Sequence, residues 1–327
     1  MKLESTNAPL SLGARFACAL SACLMASSLL AAEPAAPGPA AAGAAARQFD
    51  SPQRAADALV MAAEAFDLTA LEGIFGPGSD RIYRSDELPL ARRRATTFAA
   101  EAHKSQSILP DPSNPKRAFL VVGSQSWPFP VPLVEAGNGR WAFDTAAGEE
   151  ELLRRRIGEN ELDAIGICHG YVEAQYQYAM QARKPYEANQ FAQRVISTPG
   201  KRDGLAWLND DGTWGGPIGE KIAHALAQGY KSRGEPYHGY FFKILKGQGP
   251  AAPLGELDFV VKGAMIGGFA LLAAPAQYEV TGIKTFMVSH DGVVYERDFG
   301  PASLQEFQKL DRFNPDASWS AVSERDQ

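Results

Sequence analysis

From Leu162 to Ala179 apolar side chains recur at Leu162, Ile165, Cys168, Val172, Tyr176 and Ala179, in steps of 3, 3, 4, 4 and 3. Only an α-helix turns that spacing into one continuous face, so the stretch is expected to be a helix with one side buried. Such a face needs a second layer to bury it. Downstream the sequence supplies β-type runs over 237–245, 266–273, 284–289 and 293–297, the last two joined by the turn signal His290-Asp291-Gly292. The carboxy-terminal half is therefore expected to be a long helix packed on an antiparallel meander. Cys168 lies on the stripe and reads as a small core hydrophobe. His169 sits roughly 100° around the helix from it, so the two form no ready dyad.

The amino-terminal half puts helices first. Ser51-Pro52 pairs an N-cap with a proline in the first turn, and Ala55, Leu59, Ala62, Ala63 and Phe66 follow at helical spacing. Asp67 is expected to cap a second, short helix through Leu71 and Ile74 that stops at Gly76-Pro77-Gly78, and a third is expected over about 87–105. Pro110, Pro112 and Pro115 read as a break before the period changes to that of strands over 118–122 and 131–135. Gly137-Asn138-Gly139 is a hairpin signal leading into Trp141-Ala142-Phe143-Asp144. The long helix begins after Asp144, with Glu150 to Arg154 and Glu151 to Arg155 as i,i+4 pairs on a solvated face. It is expected to end at Lys184-Pro185. A polar stretch to Lys201, a turn-rich loop over 209–217 and a short helix over 218–230, with His224 off its apolar face, come next. The residues from Phe313 onward are polar and read as a frayed tail.

The first residues carry a different signal. Lys2 and Arg15 flank an uncharged run over 16–31, and the small pair Ala31-Ala32 precedes Glu33-Pro34. A positive flank, a short apolar core and a small-residue exit predict a cleaved export signal, too short for a transmembrane span of about 20 residues. Leu20-Ser21-Ala22-Cys23 also matches the bacterial lipoprotein pattern, in which Cys23 would be lipidated. That alternative ranks second, because the apolar run continues through Leu24, Met25, Leu29 and Leu30. The plan is a signal over 1–32, an Ala/Pro/Gly linker over 33–48, an amino-terminal α+β subdomain over 49–145, a carboxy-terminal helix-plus-meander subdomain over 146–301 and a terminal helix and tail over 302–327. The expected location is periplasmic or secreted. Past residue 32 only Cys168 remains, so no internal disulfide is expected and the core must stabilise the fold.

Composition allows that core, with 45% hydrophobic and 21% charged residues. Lys and Arg number 32 against 38 Asp and Glu, a net charge of −6, which argues against nucleic acid and against charge-driven membrane binding. No transmembrane segment is expected in the mature chain, since the best remaining apolar run, 264–275, is interrupted by Gly267-Gly268 and ends at a proline. The histidines at 103, 169, 224, 238 and 290 show no His-x-x-x-His, and there is no Cys-x-x-Cys, so no metal is expected. Ser124 and Ser126 lack the second glycine of a nucleophile elbow, and Pro250 and Pro253 interrupt any phosphate-cradling helix after Gly247-Gln248-Gly249. No catalytic residue and no cofactor is expected. The best remaining patch is Pro236-Tyr237-His238-Gly239-Tyr240 with Trp214 and His290, a groove suited to a sugar or peptide. The bland alternative is a half-buried strand, with Tyr237, Gly239 and Phe241 on one face and His238, Tyr240 and Phe242 on the other. Arg92-Arg93-Arg94 reads as solvated helix surface.

Over residues 49–300 the chain resembles the bacterial domain-of-unknown-function family 2950. The resemblance rests on Trp127-Pro128-Phe129-Pro130-Val131-Pro132-Leu133, on Trp141 to Gly148, on Arg156-Ile157-Gly158-Glu159-Asn160-Glu161-Leu162, on Pro236 to Leu245 and on Gly267-Gly268-Phe269-Ala270. Thr285-Phe286-Met287-Val288 and Asp291-Gly292-Val293-Val294-Tyr295 complete it. The family implies no activity. The amino-terminal half is similar in shape to the nuclear transport factor two-like fold, and the order of elements over 161–300 is similar to the globular part of type IV pilins and pseudopilins. Pilin-type assembly is not expected, because a long segment separates the leader from an amphipathic helix. The reading is an α+β protein acting as an exported, non-catalytic envelope module. Its partner would be another envelope protein or a small ligand, with Trp127, Trp214, Tyr237, His238, Tyr240 and His290 as binding residues. The alternative is a periplasmic hydrolase built around His238 with a carboxylate such as Asp211 or Glu235.

Overall fold

The computed structural model describes residues 46–84, 88–181, 190–219 and 235–323. The expected leader, nearly all of the linker, the Lys184-Pro185 helix stop and most of the helix expected over 218–230, with His224, lie outside the described residues. Helix α1 (Pro52–Ala65) starts where Ser51 accepts a hydrogen bond from the Arg54 N–H at 3.2 Å, and it buries Ala55, Leu59, Ala62 and Ala63. Helix α2 (Leu68–Phe75) starts on Asp67, which accepts from the Ala70 N–H at 3.0 Å. Helices α3 (Asp80–Tyr83) and α4 (Leu88–Lys104) complete this layer.

Against it lies an antiparallel sheet of β1 (Gln106–Asp111), β2 (Asn114–Val122), β3 (Trp127–Pro128), β4 (Leu133–Glu135) and β5 (Trp141–Phe143), in the order β1-β2-β4-β5 with β3 also on β2. Of the break expected at the prolines only Pro112 falls in a turn, between β1 and β2; Pro110 lies in β1 and Pro115 in β2. β1 is an edge strand, and β2 meets β4 only at Arg117 and Ala118, so each proline has a side on which a missing N–H costs nothing. Phe49 exchanges backbone hydrogen bonds with Trp141 (2.7 and 2.8 Å), tying the chain entry to β5. Phe49, Leu59, Leu71, Ile74, Leu120, Leu133 and Phe143 belong to one buried cluster.

Asp144 caps helix α5 (Thr145–Met180), accepting from the Ala147 N–H at 3.1 Å. At 36 residues it is about 54 Å long. Its first turns belong to the amino-terminal half: a Cβ on Gly148 would meet a Val131 methyl at 2.6 Å, so only glycine lets helix and strand approach this closely. Further along, the buried stripe is rotated from the one expected. Ile165 and Cys168 are buried, but Leu162 is 53% and Tyr176 39% exposed, and the buried face runs instead through Ala164, Tyr171, Gln175 and Tyr178. Gln175 is fully satisfied: it donates to Tyr171 Oη and the Ala192 carbonyl and accepts from the Ala192 N–H, each at 2.8 Å. Ala164, Gln175 and two tyrosines, Tyr171 and Tyr178, carry the core face where Leu162 and Tyr176 were expected.

A three-stranded sheet follows, with β6 (Arg194–Ile196) parallel to β7 (Gly204–Leu208) and β7 antiparallel to β8 (Trp214–Gly215), so the polar stretch contains a strand. Next come β9 (Tyr240–Leu245), the short pairs β10 (Gly247–Gln248) with β11 (Leu257–Asp258) and β12 (Val260–Val261) with β13 (Ala264–Met265), then β14 (Ala270–Pro275), β15 (Lys284–Ser289) and β16 (Val294–Asp298). Helix α6 (Ser303–Lys309) and β17 (Ser320–Ala321) end the described chain. The main sheet is antiparallel throughout, in the order β17-β16-β15-β14-β9, and α5 packs on its β15 and β14. Phe242, Phe269, Leu272, Phe286 and Phe313 belong to its buried cluster. The tail is not frayed through the described residues. The Phe313 side chain is fully buried, its N–H donates to the Gly247 carbonyl at 3.0 Å, and β17 pairs with β16. Helices with antiparallel sheets make the protein α+β, and the described residues form one compact unit.

Candidate functional site

Tyr237 and Tyr240 exchange both backbone hydrogen bonds at 3.0 Å around His238 (φ +48°) and Gly239 (φ +74°), a two-residue reverse turn with both central residues left-handed. This corrects the strand-face expectation, because the strand begins only at Tyr240. Glycine is required at 239, where a Cβ would meet Asn160 Nδ2 at 2.6 Å as well as Thr281. Histidine at 238 accepts a conformation that costs an ordinary residue roughly 1–2 kcal/mol. Its ring packs edge-on against Tyr237, with centroids 4.3 Å apart, and its Nδ1 pairs with the Asp163 carboxylate on α5. The carboxylate is thus Asp163, not Asp211 or Glu235. Asp211 is occupied in its own turn, where hydrogen bonds from the Thr213 hydroxyl (2.6 Å) and N–H (2.9 Å) hold its carboxyl below the usual range.

Tyr237, His238 and Asp163 line a groove of about 560 Å³ along α5, with Tyr171, Leu205 and Ile218 among the other walls. A carboxylate accepting from Nδ1–H leaves Nε2 as the basic nitrogen, an arrangement able to take a proton from water or a hydroxyl. The described lining contributes no Ser, Thr or Cys side chain. Cys168, on the buried side of α5, has its thiol pushed up to about 12 by burial.

The remaining expected residues lie elsewhere. Tyr240 is fully buried beneath the turn, donating its hydroxyl to the Lys284 carbonyl at 2.9 Å, and burial pushes that hydroxyl well above the ordinary tyrosine range. Trp214 packs from β8 against the carboxy-terminal core. His290 sits between the Phe259 and Phe269 rings, at 6.0 and 6.2 Å, and its buried Nδ1 has no hydrogen-bond partner among the described residues. Neither contributes to the described lining of the His238 groove. Trp127, 45% exposed, belongs to a second cavity in the amino-terminal half.

That cavity, of about 580 Å³, lies between the four amino-terminal helices, the β3 segment and the early turns of α5. Rings build one wall: Tyr83 stacks on Phe75 (6.2 Å), Phe75 on Phe129 (6.3 Å), Phe98 leans on Phe129 (5.1 Å) and Trp127 meets Phe129 edge-on (6.3 Å). Buried Leu59, Ala63, Leu71 and Ala91 line it as well. Arg81, Arg84, Arg94, Arg155 and Arg156 share the described lining with one acidic residue, Glu159. Two of these arginines are engaged. Arg84 pairs with Asp80 at 3.2 Å, and Arg155 holds Glu151 (2.8 Å) and the Pro128 carbonyl (3.0 Å) while lying over the Trp127 ring at 5.3 Å. Arg81, Arg94 and Arg156 are exposed, with no acid in ion-pair reach among the described residues. The expected Glu150–Arg154 and Glu151–Arg155 pairs form, at 3.1 and 2.8 Å. The charge run is nevertheless not all solvated surface, because Arg155 is part-buried and lies over the Trp127 ring. Sequence reading missed this set because its members come from three helices, and each triplet alone looks like a solvated face.

Among the described residues no group of three or more His, Cys, Asp or Glu is placed to hold a metal ion, and no helix is long and apolar enough to cross a membrane. Residues 46–322 match the family model described as protein of unknown function DUF2950. No curated protein and no solved structure matches the chain.

Proposed function

The chain belongs to the DUF2950 family, and from that premise we propose that it is an exported envelope module that binds a small ligand in the cavity behind Trp127 and performs no chemistry there. One observation carries this reading: three guanidiniums with no acid in ion-pair reach among the described residues, Arg81, Arg94 and Arg156, border a cavity walled by five aromatic rings. Apolar walls with a few charged groups are the usual make-up of a small-molecule site, and about 580 Å³ falls within the common range of about 300–1,000 Å³. The export part rests on the sequence over 1–32 and places the module in the periplasm or outside the cell; anchoring through Cys23 is the alternative.

The second reading, a hydrolase using the α5 groove, is favoured by the His238–Asp163 pair, which orients an imidazole beside a cavity. One experiment separates the two. Protein from full-chain expression, recovered from the envelope fraction, is denatured and its small-molecule content compared by mass spectrometry for wild type, Trp127→Ala and His238→Ala, with folding checked by circular dichroism. A ligand retained by wild type and the His238 variant but lost from the Trp127 variant is the expected result. Loss from the His238 variant alone would move the site to the α5 groove and reopen the hydrolase reading.

A further inference from the structure

We infer that the Trp127 cavity takes a single-chain amphiphile with one anionic head, its head at the arginines and its apolar chain on the rings. This deepens the reading above and rests on it. The cavity is polarised by depth. Leu59, Ala63, Leu71, Phe75 and Ala91 are each buried to 3% exposure or less, whereas Arg81, Arg94 and Arg156 are exposed. A ligand satisfying both ends is apolar at one and charged at the other. The sign of the charge follows from the side chains: five arginines against Glu159 among the described lining residues, on a chain whose net charge is −6. Basic residues are the minority in the molecule as a whole, so their collection here is local and not a by-product of composition. Guanidiniums suit the head, because their planar fork matches a carboxylate or a phosphate monoester with two parallel hydrogen bonds. Three of them stand on separate helices, α3, α4 and α5, so no single helix surface accounts for the collection.

The test is calorimetric titration of the full chain's purified product with four probes sharing a 12-carbon tail, dodecanoate, dodecyl phosphate, dodecyl maltoside and dodecyltrimethylammonium, below their micelle concentrations and at low salt. The expected result is that both anionic probes bind at least tenfold tighter than the maltoside, that the cationic probe binds weakest, and that Arg94→Gln/Arg156→Gln removes the anionic preference. The two anionic arms tell a carboxylate head from a phosphate one. Equal affinity for anionic and neutral probes, or an unchanged preference in the double variant, overturns the charge assignment. Failure of every 12-carbon probe overturns the amphiphile. In either case a Trp127-dependent ligand recovered from the envelope keeps the proposed function, and its absence removes that as well. Because both arginines are exposed, the double variant is expected to fold, which circular dichroism checks.

Discussion

Cys168 is fully buried on α5, and loss of water around it pushes the thiol up to about 12 from its ordinary 9.0. A thiol that stays protonated only in the folded protein contributes stability that is fully present below about pH 9 and is lost as the pH rises toward 12. Its thiolate is also absent at neutral pH, and thiolate is the reactive form. In the chain freed of residues 1–32 Cys168 is the single thiol, so a disulfide reagent at pH 8 is expected to titrate no thiol in the native protein and one per chain in denaturant. A free thiol in the native protein would contradict the burial. Above pH 9 Cys168→Ala is expected to lose less stability per pH unit than wild type. The buried role of Cys168 was legible from spacing alone, because helical period and side-chain type agree there. The His238–Asp163 pair was not, since 75 residues separate the partners and the turn that aims the ring depends on a glycine after a histidine, which sequence also reads as strand. Arg94 was seen but given to solvent, because an exposed arginine in a triplet carries no mark of what lies beside it.

Among the elements, capped helices were the most readable. Ser51 and Asp67 announce α1 and α2 by local chemistry that tertiary packing does not override. The tail was the least readable. Its apolar anchors, Phe313 and Trp319, follow no period and are separated by polar residues, yet both are buried. Phe313 holds its place by two backbone bonds, from its N–H to Gly247 and from the Gly249 N–H to its carbonyl at 2.8 Å, while Asn314 accepts from the Ala251 N–H at 2.8 Å. Phe313→Ala is expected to destabilise by about 3–5 kcal/mol, the usual cost of emptying a buried phenylalanine site. Thermal melting reads this as a drop of several degrees, where a frayed tail would leave the melting temperature unchanged.

At the scale of the molecule, α5 joins two buried clusters. Gly148 packs on Val131 of the amino-terminal half, and Ile165 and Cys168 enter the carboxy-terminal core along the same unbroken helix. Wild type is accordingly expected to unfold in one calorimetric transition. Gly158→Pro, at a helical position between the clusters, removes a backbone hydrogen bond and clashes with the preceding turn, costing about 3 kcal/mol or more. It is expected to split the transition in two or to lower the single one markedly. An unchanged thermogram would show that the helix does not couple the halves. The α+β class was legible at this scale because period changes mark every large element. The cavities were not, since they depend on how those elements pack.

Leu152, Arg155, Arg156 and Glu159 wall the Trp127 cavity, and Leu162, Asp163, Gly166, Ile167 and Gly170 wall the His238 groove. Spaced three and four apart, they form a single rail along one side of α5. A rod flanked by two chambers cannot turn for one of them alone. An axial roll of about 10° carries side-chain atoms at a radius of about 5 Å through roughly 1 Å, in the same sense at both chambers.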